Sequence, residues 1–483
     1  MQQVCRRSTD GIFQYHFLFY FFPITLILYF ICSFSRTMQN VVLLVASLVF
    51  YAWGEPKNIL LLLFSILFNS LMGYLVSVGK KKKRKFFLIM TVVVNLGVLF
   101  VFKYLGFVSG MFSDLFSAPQ ISIALPIGIS FFTFQALSYV IDVYNGIVKA
   151  ENPFYVGLYI SFFPQLIAGP IIQYKTIAAD IRTRKVTFDK VALGMSRFAV
   201  GVIKKVLLAN CFAGIADNVF SWSAVGTDQY AVPAMLAWLG SIAYTLQIYY
   251  DFSAYSDMAI GLALCFGFKF GENFNYPYIA TSIQDFWKRW HISLTDWFRE
   301  YVYFPLGGSR VENRDFMVRN MFIVWLLTGI WHGANWTFIL WGLLYFVVQL
   351  AERFFHYTDK MKYNWMKHLY TLFIVNLAWV LFRADDLYQA GRFILNMFGL
   401  NRNGFYSGLA CIILKENWIF LLAGCIFATP IARKANEYLY NHRTKAANVL
   451  MTIVYPVVLM ALFLLSVGYL SAGSYNPFIY FNF

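Results

Sequence analysis

Charge is scarce in this chain. Asp, Glu, Lys and Arg together make up 13% of its 483 residues, about half the share of a soluble globular domain. The usual signatures of soluble enzymes are missing as well. There is no G-x-S-x-G elbow, no H-E-x-x-H, no G-x-G-x-x-G and no G-x-x-x-x-G-K-[ST] loop, so serine-hydrolase, metalloprotease, dinucleotide and NTPase chemistry lose support. Gly73 to Gly79-Lys80 approaches the last pattern with the wrong spacing, inside an apolar run. None of the six cysteines, Cys5, Cys32, Cys211, Cys265, Cys411 and Cys425, forms a C-x-x-C pair. That argues against a disulfide framework or a zinc site and for small membrane-packed hydrophobes. No internal repeat, low-complexity tract or soluble module interrupts the chain.

What is present is apolar surface. Hydrophobic residues reach 60% and aromatic residues 20%, more than a water-soluble fold can bury and what a bilayer accommodates. Apolar runs fall near 12–34, 39–53, 58–79, 86–109, 123–142, 153–172, 194–216, 231–250 and 253–268, then near 317–332, 335–350, 366–383, 418–432 and 447–470. We expect an all-α polytopic membrane protein with roughly 11–13 membrane helices, the shorter runs being tilted, half-helices or packed on protein. The first run reads as a retained helix, because no small-residue cleavage site follows it.

The formal charge of +16 comes from basic residues in the gaps between these runs. Lys80 to Lys85, the 173–190 stretch with Lys175, Arg182, Arg184 and Lys185, and the 433–446 stretch with Arg433, Lys434, Arg443 and Lys445 are expected to face the cytoplasm. Counting spans back from Lys80 places the N-terminus outside. Anionic lipid headgroups fit this basicity, whereas nucleic acid does not, for want of a folded module to bind it.

One long stretch, 272–314, is too polar for an ordinary span. Ser282 followed by Asp285 forms a helix-start signal. Phe286, Trp290, Leu294, Trp297 and Tyr301 then recur on one face, opposite Asp285, Lys288, Arg289, Asp296 and Arg299. The pattern predicts an amphipathic helix that lies in the interface or borders an internal polar cavity.

Two of the six histidines fall in suggestive places. His332 sits beside an apolar run among Thr328, Gly329, Gly333, Ala334 and Asn335. An ionisable group at membrane depth is a functional candidate, and burial favours the neutral imidazole that can act as a base. A histidine satisfied by interhelical hydrogen bonds is the alternative. His291, between Trp290 and Ile292, is either interfacial or a second cavity residue. His16, His356, His368 and His442 read as surface or interfacial. Asp251 and Asp257, six apart, do not share a helix face well; Lys204, Lys205 and Arg289 are candidate partners. On spacing alone these carboxylates also suit a proton or ion path, as in a proton-coupled transporter.

The segments LQIYYDFSAYSDMAIGLALCFGFKFGENFNYPY (246–278), QDFWKRWHISLTDWFREYVYFPLGGSR (284–310) and GIWHGANWTFILWG (329–342) resemble the membrane-bound O-acyltransferase (MBOAT) family. FPQLIAGPIIQY (163–174) and LAWVLFRADDLYQAGRF (377–393) are similar to its AlgI-like branch, which acetylates polysaccharides. The related DltB branch, which moves D-alanine to teichoic acid, shares the middle motifs. The resemblance implies a single MBOAT domain over 1–483, with residues 1–12 as an unmatched extension and a catalytic core over about 160–350. It also implies a ring of helices around a central funnel or tunnel. His332 matches the family's invariant histidine, and His291 its more variable polar position. Arg289, Lys288, Trp290, Asn335, Trp331 and Asp251 are the accompanying candidates for substrate or donor contact. No metal and no bound cofactor are implied. The acyl donor would be a cytoplasmic thioester, acetyl-CoA in the first instance, and the acceptor an exported or cell-surface polysaccharide. A separate extracytoplasmic serine-hydrolase-like protein would be the partner, at a bacterial plasma membrane.

Overall fold

The computed structural model describes residues 14–479 apart from 117, 118, 120, 122, 225–231, 311, 312, 443 and 474. The expected N-terminal extension, Cys5 and Arg443 lie outside the described residues. Every regular element among the described residues is helical. Among the described residues, nine helical stretches are long and apolar enough to cross a membrane: Phe17–Phe34, Arg36–Gly54, Ile59–Val78, Lys81–Ser113, Phe188–Ser223, Trp336–Phe355, Asn364–Arg383, Gly408–Phe427 and Lys445–Ser471. This is a multi-pass membrane protein. The chain divides into two compact units, Met1–Phe198 with Ser256–Gly271 and Ala199–Tyr255 with Glu272–Phe483.

In the first unit, spans associate through polar side chains placed where lipid offers no hydrogen bonds. Asn69 and Asn95 exchange amide hydrogen bonds of 3.1 and 2.8 Å across two helices, the polar contact expected where hydrophobicity no longer drives association. The basic run is not a free loop. Lys81 opens the helix Lys81–Leu99, and Arg84 donates to the Tyr144 carbonyl at 2.6 Å. Arg184, in the stretch expected to face the cytoplasm, is buried. Its Nε donates to the Tyr29 hydroxyl and the Phe266 carbonyl, both at 3.0 Å, and its guanidinium lies 4.4 Å from the Phe268 ring centroid.

The run over 153–172 is not a continuous span. It breaks into Pro153–Ser161, Phe163–Leu166 and then non-helical chain, all buried from Val156 to Tyr174. Pro164 lacks an N–H and Gly169-Pro170 disfavours continuation. Broken backbone is tolerated at membrane depth only when protein satisfies it. Here the Ser47 hydroxyl accepts from Phe163 N at 3.1 Å, Gln165 Nε2 donates to the Tyr159 carbonyl at 2.7 Å, and the Tyr159 hydroxyl donates to the Ile172 carbonyl at 2.7 Å.

The runs near 231–250 and 253–268 are also not two spans. They form one 32-residue helix, Ala234–Cys265, buried on nearly every face. No proline or glycine pair breaks it, and each of its two carboxylates pairs with a base. Asp257 pairs with Arg197 at 2.9 Å within the first unit, and Asp251 with Lys205 at 2.7 Å within the second. In the second unit, Arg314–His332 and Trp336–Phe355 form a tight hairpin. A Cβ on Gly342 would lie 2.5 Å from the Trp325 carbonyl oxygen, and one on Gly329 2.5 Å from that of Phe338. Two glycines thus let the backbones touch, the small-residue crossing common in membranes. Gly408–Phe427 and Lys445–Ser471 leave most of their apolar side chains exposed, as lipid-facing helices do.

Replacing Ser47 with Ala should leave the Phe163 N–H buried without an acceptor and lower stability by about 1–3 kcal/mol. The thermal midpoint of the detergent-solubilised protein reads this out, and Ser47→Thr should stay near the parent. Equal midpoints for Ala and parent would show that the broken helix does not depend on that bond.

Candidate active site

His332 is the last residue of its helix, and the chain turns there at once. Gly333 is extended, at φ −171°. A Cβ on it would lie 2.2 Å from the Phe338 ring, so only glycine lets that ring close over the turn. Asn335 then caps the next helix, its Oδ1 accepting from Thr337 N at 3.1 Å while its Nδ2 donates to the Asp385 carbonyl at 2.7 Å. The imidazole of His332 is held by three aromatic rings, with centroids at 5.0 Å for Trp331, 4.9 Å for Trp341 and 5.2 Å for Phe382.

His291 arrives by a different route. The stretch 283–303 is not one amphipathic helix. It breaks into Ile283–Trp287 and Ile292–Phe298, with His291 between them at φ 43°, ψ 55°. Phe286, Trp290, Leu294 and Trp297 are all buried, as the periodicity predicts, but on two helices rather than one stripe. Ser282 does cap the first helix, accepting from Asp285 N at 3.0 Å. A left-handed backbone at a non-glycine residue costs about 1–3 kcal/mol and tends to occur at functional sites. Asn273 fixes the break. Its carbonyl accepts from Ile292 N at 3.0 Å, and its Oδ1 accepts from Ser293 N at 3.1 Å and Ser293 Oγ at 2.9 Å and lies 3.3 Å from His291 Nδ1.

The two histidines meet around one indole. The Trp331 ring is 5.0 Å from that of His332 and 6.1 Å from that of His291. The Phe252 ring also packs on His291, edge to face at 4.6 Å. Both histidines are buried, at 5% and 1% exposure. His291 lies outside the membrane-crossing helices, and burial pushes its imidazole down to about 3. The pair is therefore surrounded by aromatic rings, with His291 neutral across the physiological range. A neutral histidine in such a site can take a proton from a hydroxyl.

The other expected residues divide. Trp331 and Trp290 are buried in the aromatic cluster, Trp290 stacking on Phe286 at 5.6 Å and meeting Trp379 at 4.8 Å. Arg289 is tied down by Asp285 at 3.0 Å and the Asn275 carbonyl at 3.3 Å, and Lys288 is exposed. Asp251 is engaged by Lys205. His356 and His442 are exposed, and His368 meets the Ala280 carbonyl at 3.1 Å. Sequence reasoning missed Asn273, Phe252, Trp341 and Phe382. Asn273 carried a usable signal, an amide in a polar turn ahead of the histidine helix. The three rings carried none in a chain one-fifth aromatic. No group of three metal-ligating side chains forms among the described residues.

The family model for membrane-bound O-acyltransferases matches residues 45–387, which include both histidines. A probable alginate O-acetylase AlgI of Pseudomonas putida is 37% identical over 496 residues, covering 97% of this chain and 99% of its own. A peptidoglycan O-acetyltransferase of Helicobacter pylori is 34% identical, covering 97% of this chain and 96% of its own. A teichoic acid D-alanyltransferase of Bacillus subtilis is 30% identical across 50% of this chain and 62% of its own.

The depressed His291 value has a sign that can be tested. The folded state keeps this imidazole neutral, while an unfolded histidine titrates near 6.5. Stability is therefore full above pH 6.5 and falls as acid protonates the unfolded state. Relative to a His291→Gln variant, the parent should lose thermal stability steadily from pH 6.5 down to 4 and show a constant difference above pH 7. A pH-independent difference would mean that the imidazole titrates alike in both states.

Proposed function

The chain belongs to the membrane-bound O-acyltransferase family, in its AlgI-like branch, and we propose that it moves an acetyl group from a cytoplasmic thioester across a bacterial plasma membrane for O-acetylation of a cell-surface or exported polysaccharide. One observation carries the chemistry. Two distant segments bring His332 and His291 to the same indole, inside a shell of aromatic rings. The match to acetylating relatives over 97% of the chain, against half of it for the D-alanylating relative, supports acetyl as the group moved.

In this reading His332 is the general base. Its neutral imidazole takes the proton of the acceptor hydroxyl as the oxygen attacks the thioester carbonyl carbon. The new C–O bond forms, the C–S bond breaks, and the proton passes from the imidazolium to the departing thiolate. General-base assistance of this kind contributes about 10²–10⁴-fold. Neutral His291, oriented by Asn273, places the acceptor or donor. Trp331 separates the two roles and excludes water from the thioester. The donor is acetyl-CoA, used as a substrate, and the exposed Lys288 is a contact for its phosphates. A separate extracytoplasmic serine-hydrolase-like protein receives the acetyl group and completes transfer to the polymer.

His332→Ala should lower surface O-acetyl content at least about 100-fold at unchanged membrane protein level, and His291→Ala should lower it by less. Hydroxylamine-released acetate per cell is the measurement. Unchanged acetate would remove His332 from the chemistry. Loss of D-alanine esters instead of acetyl esters would replace the acetyl group with D-alanine.

A further inference from the structure

The buried ion pair between Lys205 and Asp251 is not used by the chemistry above. Both side chains are nearly sealed from solvent, at 1% and 2% exposure, with their charges 2.7 Å apart. Two charges this dry are tolerated only when their remaining hydrogen-bonding capacity is met. Here the chain that follows the helix Tyr455–Ser471 meets it. The Pro477 carbonyl accepts from Lys205 Nζ, and Ile479 N donates to Asp251 Oδ2 at 2.8 Å. The neighbouring residues are fastened as well. The Tyr475 hydroxyl donates to Asp217 Oδ2 at 2.6 Å, and Asn476 Oδ1 accepts from Asn210 Nδ2 at 3.0 Å. Phe478 stacks on Tyr255 with centroids 5.1 Å apart. Each residue from Tyr475 to Ile479 therefore has its own anchor within the second unit.

The anchors lead to the histidines. Asp251 is adjacent in sequence to Phe252, whose ring closes on His291 at 4.6 Å. Asp217 pairs with Arg383 at 2.7 Å, and the residue before Arg383 is Phe382, whose ring packs on His332 at 5.2 Å. We infer that the segment Tyr475–Ile479 is a positioning strap: by way of Lys205–Asp251 and Asp217–Arg383 it holds the Phe252 and Phe382 rings against the two histidines. Lys205, Asp251, Asp217, Arg383 and Tyr475 are thus positioning residues, and Asp251 acts on the site from behind rather than touching substrate. The inference rests on the acyl-transfer reading for its kinetic readout, though not for its structural one.

The test uses membranes carrying the full chain with its cellular partners and acetyl-CoA as donor. Tyr475→Phe removes one hydroxyl and keeps the ring, and Lys205→Met with Asp251→Leu replaces the ion pair by apolar side chains of similar bulk, a change that is often neutral for folding. Both should accumulate at parental level. The double variant should lose about 10-fold or more in kcat, a displacement effect, with KM for acetyl-CoA unchanged, because Pro477 O and Ile479 N no longer have partners. Tyr475→Phe should lose less, and Lys205→Arg, which keeps the pair, should recover most of the rate. A double variant with parental level and parental kcat would overturn the inference. A second readout needs no activity. Phe478→Cys in a cysteine-free chain should resist maleimide labelling and become reactive once Asp251→Asn is added; equal protection in both would also overturn it. If the parent forms no acetyl ester from acetyl-CoA while His332→Ala behaves identically, the acyl-transfer reading fails, and the labelling result alone decides the strap.

Discussion

Removal of polar groups from water is the constraint on which the rest of this structure depends. In a chain that lives mostly in lipid, an unsatisfied carbonyl, amide or charge costs several kcal/mol, so each buried departure from a plain apolar helix must bring its partner along. The broken helix after Ser161 is held by Ser47, Gln165 and Tyr159. Asp251 is buried because Lys205 is buried beside it, and the half-buried Asp257 is paired with Arg197. His291 breaks a helix in a left-handed conformation because Asn273 takes up the freed polar groups.

The same constraint builds the site. An imidazole acts as a base in its neutral form, which burial favours, and both histidines are buried among aromatic rings. The glycines at 329, 333 and 342 allow this by removing side chains where helix backbones and the Phe338 ring must touch. The ring cluster in turn needs fixed edges. Those come from polar links outside it: Asn335 to the Asp385 carbonyl, Arg383 to Asp217, and the strap across Lys205 and Asp251. Close packing and buried polarity are thus one arrangement, with aromatic rings next to the two histidines and ion pairs one layer behind.

Much of this was legible in the sequence. Apolar runs located the spans, and His332 stood out as an ionisable residue beside one of them, which the structure buries among aromatic rings. The 3.6-residue pattern named four buried residues, Phe286, Trp290, Leu294 and Trp297, but included the half-buried Tyr301 and passed over the buried Trp287 and Phe298, because one continuous stripe cannot describe two separate helices. It does not report whether the backbone stays continuous: the break after Ser161 is signalled only by Pro164 and Gly169-Pro170, and the break at His291 has no such signal. It also gave the wrong division of Ala234–Cys265, where a carboxylate mimicked a loop because its base, Lys205, lies 46 positions away in sequence and its other partner, Ile479, comes near the end of the described chain. Side-chain partners set by tertiary contact leave no local trace. Lys205 is legible as a candidate base for Asp251 from its chemistry, and the structure pairs them, whereas Phe252, Trp341 and Phe382 do not stand out among so many aromatic residues.

The most direct measurement is transfer of isotopically labelled acetyl from acetyl-CoA by inverted membrane vesicles, where the cytoplasmic face is outermost. The parent protein should place hydroxylamine-labile label on material protected inside the vesicles, and His332→Ala, present at equal amount, should place none. Equal protected label from both would contradict a histidine-based acyl transfer across the membrane.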